Sequence, residues 1–281
     1  MTTFNALGTM DLPTEQQGDG LPRIWWHNGA KGSKGQPGTP GDFYTKAEFY
    51  DGTLEGDGSP WHADERFKDE PGFAAERLCI LVIRQRLQWY IDHPLPNGQR
   101  RTEWLTKYQD GARGRTDILC LAEGIEGPVV LSVKGMTGRA LNQKPGKDHP
   151  GGVIPQFQRA VIDLAARKFR RQLPLYAFWL PIATKRDAKG GIAYEDTGYG
   201  SFVTPPALAL PDAAGEALLD MLYPGDELVQ QAAELWRQYE PWSRELRGNA
   251  PAEATEGDGE AEAPAPARNV PQALTDDDLP Y

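Results

Sequence analysis

Residues 77–91 read Arg-Leu-Cys-Ile-Leu-Val-Ile-Arg-Gln-Arg-Leu-Gln-Trp-Tyr-Ile. The segment begins as a continuous apolar run and then alternates. Leu87, Trp89 and Ile91 fall on one side; Arg84, Arg86, Gln88 and Tyr90 fall on the other. Only an extended backbone places successive side chains on opposite faces, so the period of two predicts a long β-strand. A chain that commits so much of its length to one strand must build a sheet around it. Two arginines and a tyrosine on one face make a candidate surface for stacking bases and contacting phosphates.

The surrounding residues supply partners for that strand. Pro96-Asn97-Gly98 has turn chemistry, and Arg100–Tyr108 returns as a second strand with Trp104 and Tyr108 on one side. Further strands are expected at Thr116–Ala122 and Val129–Lys134. Gly135 to Gly152 reads as a loop carrying Arg139, Lys144 and Lys147. A helix is expected over 155–172, entered at Pro155, with Phe157, Val161, Leu164, Ala165 and Phe169 as its core stripe. Strands at 175–182 and 192–203 follow, then helices at 213–222 and 226–246. Leu228, Leu235, Trp236, Tyr239 and Trp242 form a packing stripe on the last helix. Upstream, 21–27 and 42–50 are strand-like. The glycine-rich stretch between them carries Lys31 and Lys34 but lacks P-loop spacing.

From residue 77 onward the order is strands, one helix, then strands. An OB-fold has five strands with a helix between the third and fourth, and the helix at 155–172 occupies that slot. The expected class is therefore mainly β within α+β: an OB-fold-like β-barrel with an inserted helix and two C-terminal helices. The expected organisation is a flexible segment at 1–20, a single decorated domain at 21–248, a disordered linker at 249–274 and an acidic tip at 275–281.

Charge is unevenly distributed. The chain carries a formal −10, yet residues 77–175 hold 17 basic and 8 acidic groups. A basic middle in an acidic protein is the footprint of a localised polyanion site. Residues 249–281 hold eight acidic groups and one basic group. Up to residue 274 this segment has no aromatic residue, and its Pro, Ala, Gly and Glu content makes an extended, self-repelling tether.

The tether leads to Asp276-Asp277-Asp278-Leu279-Pro280-Tyr281. A carboxylate run before an aliphatic residue, proline and an aromatic can dock an apolar tip in a pocket with a basic rim. Proline limits the entropy lost on docking. This tip resembles the C-terminal tip of bacterial and phage single-stranded DNA-binding proteins, with Tyr281 where the family has Phe. The resemblance implies binding without catalysis, protection of exposed strands during replication or recombination, and recruitment of partner proteins through Asp276, Asp277, Asp278, Leu279, Pro280 and Tyr281. The residues expected to meet DNA are Arg84, Arg86 and Tyr90, then Arg101, Lys107, Tyr108, Arg113 and Arg115, then Lys31 and Lys34. Homo-oligomerisation stays open.

No cofactor is expected. Cys79 and Cys120 lie in apolar runs without a CxxC, and the four histidines are scattered, which excludes common structural zinc patterns. No signal peptide is recognisable and no apolar run approaches membrane-spanning length, so a cytoplasmic protein without membrane attachment is expected. Asp117 with Ser132-Val133-Lys134 is one carboxylate short of a restriction-type nuclease site. Asp117 is instead expected at a surface or turn. A strand-annealing recombinase and a nuclease with a degenerate site are the alternatives.

Overall fold

A computed structural model of the chain describes residues 20–32, 38–47, 58–64, 72–95, 100–105, 107–147, 149–198, 201–243 and 254–255. The apolar-then-alternating segment forms β5 (Arg77–Pro94), an 18-residue strand. Among the described residues it organises a mixed sheet of 11 strands.

Three strands flank β5 directly. β7 (Arg113–Ala122) pairs antiparallel with it from Ile80 to Tyr90. On the opposite edge, β9 (Leu180–Thr184) pairs with Arg77–Ile80, and β6 (Arg100–Leu105) pairs with Trp89–Pro94. Beyond β7 come β8 (Pro128–Lys134), then β1 (Arg23–His27), parallel to β8. The sheet continues through β2 (Asp42–Lys46) and β4 (Gly72–Ala75) to β3 (His62–Asp64). β12 (Pro206–Leu208) lies outside β9. β10 (Glu195–Asp196) and β11 (Phe202–Val203) make a separate two-stranded ribbon where one strand over 192–203 was expected. β13 (Ala254–Thr255) pairs with β6 inside the stretch read as linker. The described strands follow an open path, and no closed barrel is found among them.

The shift from apolar run to alternation in β5 has a direct structural counterpart. Leu78, Ile80, Leu81, Val82 and Ile83 are all buried because both faces of the sheet are covered there. A β-bulge between Val82 and Arg84 gives one extra residue and resets the alternation. On the first face, Leu78, Ile80, Val82, Ile118, Cys120 and Leu131 pack against helices. These are α1 (Gly135–Asn142), α2 (Val153–Phe157), α3 (Asp163–Phe169) and α4 (Gly215–Leu222). A π-helical turn (Gln158–Ile162) joins α2 to α3, so the helix expected over 155–172 spans 153–169. On the second face, Leu81, Ile83, Leu119, Leu121 and Val130 meet α5 (Asp226–Gln238) and Trp242. The last helix stops before Pro241, whose ring cannot donate a backbone bond, and a 3-10 turn (Pro241–Ser243) carries Trp242 back onto the sheet.

α1 corrects the expectation of a loop from Gly135 to Gly152. Gly138 is what seats this helix: a Cβ there would lie 2.8 Å from the Val133 carbonyl oxygen and 3.3 Å from Thr116 Oγ1. Helix and sheet backbones approach closely because this residue has no side chain. Among the described residues no helix is long and apolar enough to cross a membrane.

Candidate nucleic-acid interface

The two faces of the β5–β7 ladder have different chemistry. Arg84, Arg86, Gln88 and Tyr90 do share a face, as their alternation predicts, but that face is largely internal. Arg86, Gln88 and Tyr90 are buried, as are Arg23 and Arg115 from neighbouring strands.

Asp117 is the hub of this second face. It is fully buried, contrary to the surface or turn position expected of it. Arg115 Nε donates to Asp117 Oδ1 at 2.8 Å, and Ser132 Oγ donates to the same oxygen at 2.8 Å. Arg23 Nη1 and Arg86 Nη2 approach Oδ2 at 3.4 and 3.3 Å. Ser132 Oγ in turn accepts from Arg23 Nη1 at 2.9 Å and Arg115 Nη2 at 3.0 Å. Burial alone would raise the Asp117 pKa. The guanidinium groups of Arg115, Arg23 and Arg86 outweigh it and hold the carboxyl well below the usual carboxylate range.

Three arginines on this face stack on tryptophans. The Arg86 guanidinium lies 3.9 Å from the Trp242 ring centre, Arg84 lies 4.4 Å from Trp236 and Arg115 lies 5.2 Å from Trp104. The desolvated Arg86–Trp242 pair is worth up to about 2 kcal/mol, and the Arg84–Trp236 pair, whose ring is exposed, about 0.5–1 kcal/mol. Arg84 Nε also donates to the Trp236 carbonyl oxygen at 2.8 Å. Tyr90 packs against Trp104. Much of the basic, aromatic character of residues 84–115 is thus engaged inside the protein.

The remaining candidates divide by position. Arg101, Lys107, Tyr108 and Arg113 are exposed. Arg113 pairs with Asp92 at 3.6 Å on the second face. Arg101 is the register partner of His93, which alternation places on the first face with Trp89. Lys31 lies over the Phe202 ring at 3.7 Å, in a different region. Lys34 and the tip residues Asp276, Asp277, Asp278, Leu279, Pro280 and Tyr281 lie outside the described residues.

The first face opens into a groove of about 500 Å³ between α1 and the β5–β7 ladder. Its floor is Leu87, Trp89, Gly114 and Thr116, and its wall is Met136, Gly138, Arg139, Asn142, Gln143 and Lys144. Gly114 leaves space for the Trp89 indole: a Cβ there would sit 3.2 Å from the ring. Tyr108 meets Trp89 edge-on at 5.0 Å between ring centres. Trp89 is half-buried, while Tyr108, Met136, Arg139 and Lys144 are exposed. Indole, apolar floor and cationic wall therefore face one concavity, with Tyr108 against the indole. Trp89, Arg139 and Lys144 were missing from the residues expected to bind. Trp89 sits on the apolar side of the alternation, and Arg139 lay in what read as a loop. The usable signal was the open Gly114 opposite Trp89, which only the strand register reveals.

The geometry also bears on nuclease chemistry. Both carboxylate oxygens of Asp117 are taken by Arg23, Arg86, Arg115 and Ser132, leaving no site for a cation. Among the described residues no group of His, Cys, Asp or Glu gathers to hold a metal ion. Cys79 and Cys120 are free thiols, both pushed up to about 12 chiefly by burial, and unreactive near neutral pH. No protein-family profile, curated protein or solved structure matches the chain.

Proposed function

We propose that this chain is a single-stranded DNA-binding protein that coats and protects exposed strands during replication or recombination. The observation that supports the reading is the groove, where Trp89, with Tyr108 edge-on against it, shares a lining with Arg139 and Lys144. Single strands are held without strict sequence preference by aromatic platforms under the bases and cations along the backbone. Trp89 and Tyr108 supply the platforms. Arg139 and Lys144 supply the phosphate contacts, with Lys107 and Arg101 extending the track. The OB-type barrel expected from the element order belongs to the same reading. The described strands follow an open path, and the groove does not depend on closure.

The acidic tip, from Asp276 to Tyr281, recruits replication or recombination proteins through a pocket with a basic rim. Deleting residues 276–281 keeps or tightens DNA binding, because an acidic segment competes with phosphates for the same cations, and abolishes recruitment. Loss of DNA binding on that deletion would assign the tip a different role.

The deciding experiment is a titration with oligo(dT) followed by tryptophan fluorescence at several salt concentrations. Binding at low salt that weakens steeply as salt rises supports the reading. Absence of binding at low salt overturns it.

A further inference from the structure

We infer that a bound strand leaves the groove over an open edge of β5 and enters a second concavity, where Trp236 is a further platform for a base; this rests on the groove being a single-strand site. On the edge of β5 away from β7, β9 pairs no further than Ile80, and β6 begins to pair only at Trp89. Among the described residues no strand lies beside 81–88 on that edge.

A concavity of about 590 Å³ lies at this gap. It is lined by all of residues 82–87, with Pro174, Tyr176 and Trp236 among its walls. Consecutive side chains of a strand point to opposite faces, so a space that touches the whole run lies against the strand's edge rather than over one face. Gln85, Arg86 and Leu87 line the groove as well. The two spaces therefore meet at the same residues, and a flexible polymer can pass from one to the other along the protein surface.

The chemistry along this path continues that of the groove. Trp236 keeps 44 % of its surface exposed, and the Arg84 guanidinium lies 4.4 Å from its ring centre. Arg84 Nε donates to the Trp236 carbonyl oxygen at 2.8 Å, which ties this turn of α5 to the strand. The indole is thus a positioned aromatic surface of the kind on which any base can stack. Among the described residues the lining includes Arg84 and Arg86 and no carboxylate, so it does not repel phosphate. An open strand edge also presents backbone N–H groups, which donate to phosphate oxygens. Trp89 and Arg84 stand about 17 Å apart along β5, so the two platforms serve different nucleotides of one longer strand.

The test measures binding of labelled oligo(dT) to the full-length protein by fluorescence anisotropy at low salt, with strands of about 4 and about 16 nucleotides. Trp236→Ala, checked for folding by circular dichroism, should weaken the longer strand about tenfold, the scale of one stacked base, and leave the shorter one within about twofold of wild type. Trp236→Phe keeps an aromatic face and should recover most of that loss. Trp89→Ala should weaken both lengths. Unchanged affinity of the longer strand in Trp236→Ala overturns the second platform and leaves the groove standing. Equal weakening of both lengths, or a loss that Trp236→Phe does not recover, also overturns it, since the indole then acts through packing. Failure of the wild-type protein to bind either strand overturns the single-strand reading itself.

Discussion

Arg115 and Asp117 lie two residues apart on β7, both with 0 % of their surface exposed, and Arg115 Nε donates to Asp117 Oδ1 at 2.8 Å. Alternation puts them on one face of the strand, and the neighbouring strands bring Arg86, Arg23 and Ser132 to the same point. The sheet's second face is therefore held by a buried polar network rather than by apolar contacts alone.

Removing the carboxylate should be costly. Asp117→Asn leaves three buried guanidinium groups without their shared anion. The expected loss is about 3–5 kcal/mol of unfolding free energy, the usual cost of breaking a buried ion pair. Urea denaturation monitored by tryptophan fluorescence measures it. A loss below about 1 kcal/mol would mean that the carboxylate contributes little to holding these arginines.

The same group fixes the acid limb of stability. Its folded pKa lies below its unfolded value of about 3.9. Its contribution is then fully present well above that unfolded value, begins to fade below about pH 5 and is lost as pH falls through the folded pKa. A pH series of melting temperatures should show wild-type stability falling through this window. Asp117→Asn, having no titrating group there, should fall less steeply.

How far this was legible from sequence differs by element. β5 was visible because an apolar run followed by strict alternation admits little but a strand. The core helix was visible from Phe157, Val161 and Ala165 at helical spacing. α1 was hidden: Gly135, Gly138 and Asn142 read as loop residues, yet Gly138 is needed because the helix backbone lies against Val133. Arginines and tyrosine on the polar side of β5 looked solvent-facing because local alternation cannot show that Trp242 and Trp236, some 150 positions along the chain, close over that face. Burial there is decided by long-range packing. The groove is not legible locally for the same reason, since its wall and floor meet only when α1 is seated.

Gln88 offers a stabilising substitution. It is 2 % exposed, and among the described residues neither amide atom has a hydrogen-bond partner. Each unmatched buried polar atom carries a desolvation penalty, so an apolar side chain of similar length should be preferred. Gln88→Met is expected to raise stability by about 1–2 kcal/mol in urea denaturation. A decrease would show that the amide meets a group the apolar side chain cannot replace.

Arg139 and Lys144 separate the groove from the other basic surfaces. Each phosphate contact removed should lower the slope of log affinity against log salt by about 0.7 for a single strand. The double variant Arg139→Ala/Lys144→Ala should therefore bind oligo(dT) more weakly at low salt and show a slope reduced by about 1.4. Arg113 is equally cationic but pairs with Asp92 on the opposite face, so Arg113→Ala should leave both quantities near their wild-type values. Trp89→Ala should cost about 1–3 kcal/mol of binding with the slope preserved, since stacking releases no counterions. Fluorescence titrations across a salt series distinguish these cases. If Arg113→Ala lowers the slope while the Arg139/Lys144 double variant does not, the strand lies on the second face and the groove assignment fails.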